Sequence, residues 1–255
     1  MEYGKLLNLA AELGYRLMMS GAEIYRAEDS VGRLLKAYGL DSGEVFAIPN
    51  CLTISLRGED GEPITRIRRI PEHSTNVELL ELYNALCREL CRETPDLDDA
   101  MERLQAVPQN QRTYPFWVQL IAYFVAAAAF CLFFGGSMTD APFSGICGIA
   151  VALCMFLVSR LGANGFFKTI AASAVSALLA LTFEFIWSGL NTDAIIIGAY
   201  MALVPGVAFT TALRDLMAGD MVSGLAKAAE GVLIAVGIAV GTGVAMSLMR
   251  VLTGG

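Results

Sequence analysis

The chain has 255 residues, 55% of them hydrophobic and 17% charged, and a formal net charge of −7. Residues 1–115 hold 13 Lys/Arg and 19 Asp/Glu, whereas the last 140 hold only 5 and 6. An acidic charged segment excludes the clustered Lys and Arg that nucleic acid or a polybasic clamp on anionic lipid requires, and five apolar stretches of roughly 20 residues exclude a chain that lives wholly in water.

The two parts need different solvents, which divides the chain into a small cytoplasmic α/β domain over 1–112 and an α-helical transmembrane domain over 113–255. Residues 2–18 mix Glu2, Lys5, Glu12 and Arg16 with apolar residues, the pattern of an amphipathic helix and not of a cleavable signal peptide. A second helix is predicted over 20–38, with Ser20 and Glu23 at capping-box spacing and Gly39 placed to end it. Strands are predicted over 44–48, 51–57 and 64–70; Leu52, Ile54 and Leu56 alternate with Thr53, Ser55 and Arg57, as in a half-buried strand. Glu59-Asp60-Gly61-Glu62 marks a hairpin turn. A helix from Thr75, with Glu78 as box partner, runs to about Glu93, a short one covers 97–106, and Pro108 and Pro115 bound a linker. The domain has no Gly-rich phosphate loop, no Ser/His/Asp set and no metal-ligand spacing, so no catalytic residue, cofactor or metal is assigned. Cys51, Cys87, Cys91, Cys131, Cys147, Cys154 and the single His73 read as structural groups, and Arg66-Ile67-Arg68-Arg69 as a solvated face or an ion-pair ladder.

Membrane spans are predicted near 116–134, 141–159, 169–190, 193–213 and 221–249, antiparallel in turn because the connections are short. Arg112, Arg160, Lys168 and Arg214 fall on one side and the loops 135–140 and 190–193 carry no positive charge, so the head is cytoplasmic by the positive-inside rule, with Arg250 dissenting. Tyr114, Trp117, Tyr123 and Trp187 fit interfacial belts. Ser144, Gly145, Cys147 and Gly148 in the second span, and Gly231, Gly237, Gly241 and Gly243 in the fifth, form seams for close helix packing, within the chain or against another chain, a homo-oligomer included.

Glu184 interrupts the apolar run 178–187, about 7 Å beyond the middle of the third span. A carboxylate there either borders a cavity, where it suits a proton-coupled step, or snorkels to the outer surface. Pro205 and Gly206 sit near the centre of the fourth span; proline removes a backbone donor and clashes with the preceding turn, so a kink or break is expected. A break presents N–H groups and a positive dipole end to an anion, with Thr210 and Thr211 just beyond, unless neighbouring helices repair it. Lys227 and Glu230, three apart, can meet on one helix face, and Arg214, Asp215 and Asp220 flank the same inner loop. These five read as a solvated loop or as an inner gate.

The segment Ser20-Gly21-Ala22-Glu23-Ile24-Tyr25-Arg26-Ala27-Glu28 resembles the opening motif of the threonine/serine exporter family's N-terminal half. So do Pro49, Thr53 with Ser55, and Thr65-Arg66; the outer loop Phe134-Gly135-Gly136-Ser137 with Asp140; and Val204-Pro205-Gly206 followed by Leu213-Arg214-Asp215-Leu216, Gly219-Asp220 and Ser223-Gly224. The resemblance covers nearly the whole chain. It implies an exporter of threonine and serine or, for two-component forms, of succinate, in the bacterial inner membrane. It also implies that this chain is the head-bearing subunit beside a smaller integral-membrane partner. A second half of five spans would enter with opposite orientation, a recurrent transporter plan with its site near the midplane.

The expected function is therefore a secondary transporter for a small organic acid or amino acid, with Glu184, Pro205, Gly206, Thr210 and Thr211 at the substrate or coupling site. Glu23, Arg26 and Glu28 would dock or gate the head, together with Arg214, Asp215, Asp220, Lys227 and Glu230. The alternatives are a membrane-anchored sensor or scaffold whose head recruits a partner, and a membrane hydrolase, for which the head supplies no nucleophile–base set.

Overall fold

The structure, a computed structural model, describes residues 2–41, 43–58, 61–71 and 75–253. Its elements are α1 (Tyr3–Met19), α2 (Ile24–Ala37), β1 (Glu44–Ile48), β2 (Cys51–Arg57), β3 (Pro63–Arg69), α3 (Val77–Glu93), α4 (Leu97–Ala106), a 3-10 turn (Val107–Asn110), α5 (Phe116–Phe133), α6 (Asp140–Arg160), α7 (Gly165–Ile186), α8 (Thr192–Tyr200), α9 (Gly206–Ala218) and α10 (Met221–Thr253). The chain divides into two compact units, Met1–Thr113 with Val207–Ala228, and Tyr114–Gly206 with Ala229–Gly255.

In the first unit an antiparallel sheet of order β1-β2-β3 carries the predicted alternation: Leu52, Ile54 and Leu56 of β2 are buried in the core formed with α1, α2, α3 and α4. The hairpin forms between β2 and β3; Glu59 and Asp60 of its turn, like His73, lie outside the described residues. The basic run on β3 reaches α1, where Arg68 pairs with Glu12 and Arg66 donates to the Asn8 side-chain carbonyl. The Cys87 thiol donates to the Ser30 carbonyl at 3.6 Å, and burial pushes its pKa up to about 12, which leaves it inert.

Both predicted capping boxes are corrected. Ser20 ends α1 and does not begin α2: its hydroxyl donates to the Arg16 carbonyl, Gly21 takes φ +92°, and the Ala22 N–H reaches the Leu17 carbonyl at 3.0 Å. That is a glycine-ended helix stop, so α2 begins at Ile24 with Glu23 at its cap position, making no capping bond. At α3 the cap is Asn76, which accepts the Leu79 N–H at 3.1 Å, rather than Thr75.

In the second unit α5, α6, α7 and α10 are long and apolar enough to cross a membrane, α10 beginning at Met221 in the first unit. Parts of the predicted small-residue seams pack within the chain: a Cβ on Gly148 would come 2.7 Å from the Tyr123 carbonyl of α5, and one on Gly241 would strike Ser173 of α7, whereas one on Gly243 would meet nothing within 4 Å among the described residues. Ser144, fully buried, donates to the carbonyls of Ala127 (3.0 Å) and Ile195 (3.1 Å), joining α5, α6 and α8. The span predicted over 193–213 is not one helix. It is α8, nine residues, and α9, thirteen, separated at Met201–Pro205. Neither piece matches the ~30 Å hydrocarbon core, which needs about 20 helical residues. The third span also starts earlier than predicted, because the Asn164 side chain caps α7 through the Phe167 N–H at 3.1 Å. Glu184 therefore lies in the last turn of α7 and not near its middle.

Candidate functional site

The break in the fourth apolar segment follows from Pro205. Without its N–H the chain turns tightly instead, the Leu203 and Val204 N–H groups both reaching the Tyr200 carbonyl at 2.7 and 3.0 Å, and α9 restarts at Gly206. Beside this turn lies a pocket of about 400 Å³. Met155, Phe166, Leu203 and Leu233 give it apolar walls, and Asn164, Thr169 and Glu230 line it as polar groups. A mostly apolar cleft with a few polar groups is the usual form of a small-molecule site.

A second pocket of about 250 Å³ lies at the other end of α7, lined by Glu184, Asn191, Thr192, Asp193, Leu181 and Met246 among others. Glu184 thus borders a cavity, and Asp193 brings a second carboxylate to it. The Thr192 hydroxyl is buried without a hydrogen-bond partner among the described residues. Asp140, 2% exposed, braces this end: it accepts from the Ser137 N–H (2.7 Å), the Ser137 hydroxyl (2.6 Å) and the Asn191 N–H (3.0 Å). Its sequence signal is the Ser137-x-x-Asp140 spacing at a helix start.

Thr210 and Thr211 turn to their own helix, donating to the Val207 and Ala208 carbonyls, and belong with α9 to the first unit. The gating candidates except Glu230 gather in that unit. Glu23, 5% exposed, pairs with Arg214 and, at 3.2 Å, with Arg26. Lys227 holds the fully buried Asp215 at 2.7 Å. The α9–α10 turn brings Asp220 to this pair: Gly219 takes φ +98° and the Asp220 N–H donates to the Asp215 carbonyl at 2.9 Å. Glu28 accepts the Ala47 N–H at 2.7 Å; burial pushes its carboxyl up against that bond, and Asp220 adds to the rise. Burial also pushes Asp220 up, with Asp215 adding and Lys227 opposing. Among the described residues no group of three or more His, Cys, Asp or Glu is placed to hold a metal ion.

A charged head and several helices of membrane-crossing length and hydropathy mark a multi-pass membrane protein. The chain belongs to the threonine/serine exporter (ThrE) family, whose model matches residues 8–249. It is 21% identical over 93% of its length to a "probable threonine/serine exporter" of Mycobacterium tuberculosis and 23% identical over 97% to the "threonine/serine exporter" of Corynebacterium glutamicum, spanning 45% and 52% of those proteins. It is 24% identical to the "probable succinate transporter subunit YjjP" of Escherichia coli, over 94% of this chain and 93% of that one. The chain thus spans about half the length of the two exporters. No solved structure matches it significantly.

Proposed function

We propose that this chain is the head-bearing subunit of a two-component secondary transporter. It exports small carboxylate-bearing solutes, threonine and serine or a dicarboxylate such as succinate, across a bacterial inner membrane, with the head in the cytoplasm and a smaller membrane subunit as partner. The observation that carries this reading is the coincidence of an interrupted apolar segment with a pocket of about 400 Å³ at the interruption. Irregular backbone at membrane depth is tolerated where it lines a cavity, and transporters place their sites there. The fourth apolar segment leads from one pocket to the other through α8 and the turn after it, since residues 191–193 border one pocket and residues 202–203 the other. Substrate class and the partner subunit are supported by the names of the relatives and by the near-complete overlap with the succinate transporter subunit.

Glu184, with Asp193 beside the second pocket, is the coupling group in this reading. The test is efflux from cells preloaded with labelled serine, threonine or succinate, with this chain and its smaller subunit expressed together. Efflux of one solute above that from either subunit alone is expected; equal rates for every solute refute the reading.

A further inference from the structure

Both pockets draw on α7 and α10, and on α8 or the turn that follows it. The larger takes Phe166 and Thr169 from α7, Leu203 from the turn after α8, and Leu233 from α10; the smaller takes Glu184 from α7, Ile196 from α8 and Met246 from α10. At 1.5 Å per residue the nearest residues of the two pockets on α7, Thr169 and Leu181, are about 18 Å apart along the helix.

Between them stands Tyr200. It falls between Ile196 and Leu203 in the chain, and its hydroxyl bonds Ser173 of α7, between Phe166 and Glu184, and Thr242 of α10, between Leu233 and Met246. The ring is 8% exposed. Its phenol donates to the Ser173 carbonyl at 3.0 Å and lies 2.7 Å from the Thr242 hydroxyl, which donates to the Ile238 carbonyl at 2.8 Å. Each hydroxyl owns one proton, so three contacts share two protons. The phenol takes part in two of these contacts, so swinging it away leaves the Thr242–Ile238 bond in place. Tyr200 is also the last residue of α8, where the regular helix stops, the kind of element end that serves as a hinge.

The wall beside it has a polar group to spare. Ser176, one turn from Ser173 on α7, is fully buried, and among the described residues its hydroxyl has no partner better than the weakly bonding Cys147 thiol of α6. A buried hydroxyl so weakly partnered is unfavourable in a static core, and it is what a passing polar solute or its water needs.

We propose that the two pockets are the opposite mouths of one solute route through the second unit, and that Tyr200, held by Ser173 and Thr242, closes the route between them. This rests on the exporter reading, and it adds the path and the residue that shuts it.

The buried Cys147 of α6, a neighbour of both Tyr200 and Ser176, reports on closure. The experiment uses the full chain in membranes with its smaller subunit, with Cys51, Cys87, Cys91, Cys131 and Cys154 replaced by serine. N-ethylmaleimide and a membrane-impermeant maleimide are the probes. Cys147 labels slowly with Tyr200 present and at least tenfold faster in Tyr200→Ala. Thr242→Val, which removes one partner at nearly constant volume, raises the rate by a smaller factor and covers the case in which Tyr200→Ala fails to insert. Unchanged labelling in both variants overturns the closure, whatever the flux. Faster labelling with no efflux of serine, threonine or succinate from any form supports the closure and overturns the exporter reading.

Discussion

Asp215 is fully buried and is held by Lys227 at 2.7 Å, while its second oxygen has no hydrogen-bond partner among the described residues. A paired buried carboxylate is tolerable, but one stripped of its cation is not, because desolvation is then uncompensated. Lys227→Met is therefore expected to destabilise the first unit by about 3–5 kcal/mol, seen as a lower thermal midpoint of the purified protein in detergent. Adding Asp215→Leu should restore much of the loss. A double variant no more stable than Lys227→Met would show that the pair is not the cause.

Glu28 and Asp220 give the first unit a pH dependence of known sign. Burial raises both above their ordinary values of 4.5 and 3.8, so the folded state disfavours their ionised forms. Their contribution to stability is greatest below those ordinary values and declines as pH rises through the raised ones. Glu28→Gln with Asp220→Asn should raise stability at neutral pH and flatten the profile from pH 4 upward, measured by denaturation across pH. A profile as steep as that of the unmodified protein would place the titration elsewhere.

Arg214 reaches Glu23 across 191 positions of sequence, joining α9 to the first turn of α2. Arg214→Ala leaves Glu23 with Arg26 alone, so faster hydrogen exchange is expected in residues 206–218 and at the start of α2, with the sheet unchanged. Uniform exchange across the unit would mean global destabilisation instead.

Gly148 lets α6 approach the α5 backbone, where a Cβ would come 2.7 Å from the Tyr123 carbonyl. Gly148→Leu is expected to abolish accumulation of the protein in membranes, measured by immunoblot of the membrane fraction, whereas Gly243→Leu, with open space around its Cβ position, should not.

What could be read from the chain was whatever depends on neighbours in sequence. The alternation of Leu52, Ile54 and Leu56 gave β2 its face, and Pro205 with Gly206 located the interruption within a few residues. Local signals misled where two motifs overlapped: Ser20 and Glu23 have capping-box spacing, but Gly21 at positive φ ends α1 between them. Thr210 and Thr211 looked like donors at the break, yet threonine in a helix readily bonds the preceding turn. Tyr200 was illegible because its importance lies in Ser173 and Thr242, 27 and 42 residues away, and an isolated tyrosine in an apolar run carries no signal of its own. The pairs Glu23–Arg214 and Asp215–Lys227 depended likewise on chain packing.

Solute efflux with the coupling carboxylate altered is the most direct measurement. Cells expressing this chain with its smaller subunit should release one of serine, threonine or succinate, and Glu184→Gln should abolish that release or remove its pH dependence while membrane levels stay unchanged. Release from Glu184→Gln at the unmodified rate, with the unmodified pH dependence, would contradict the account.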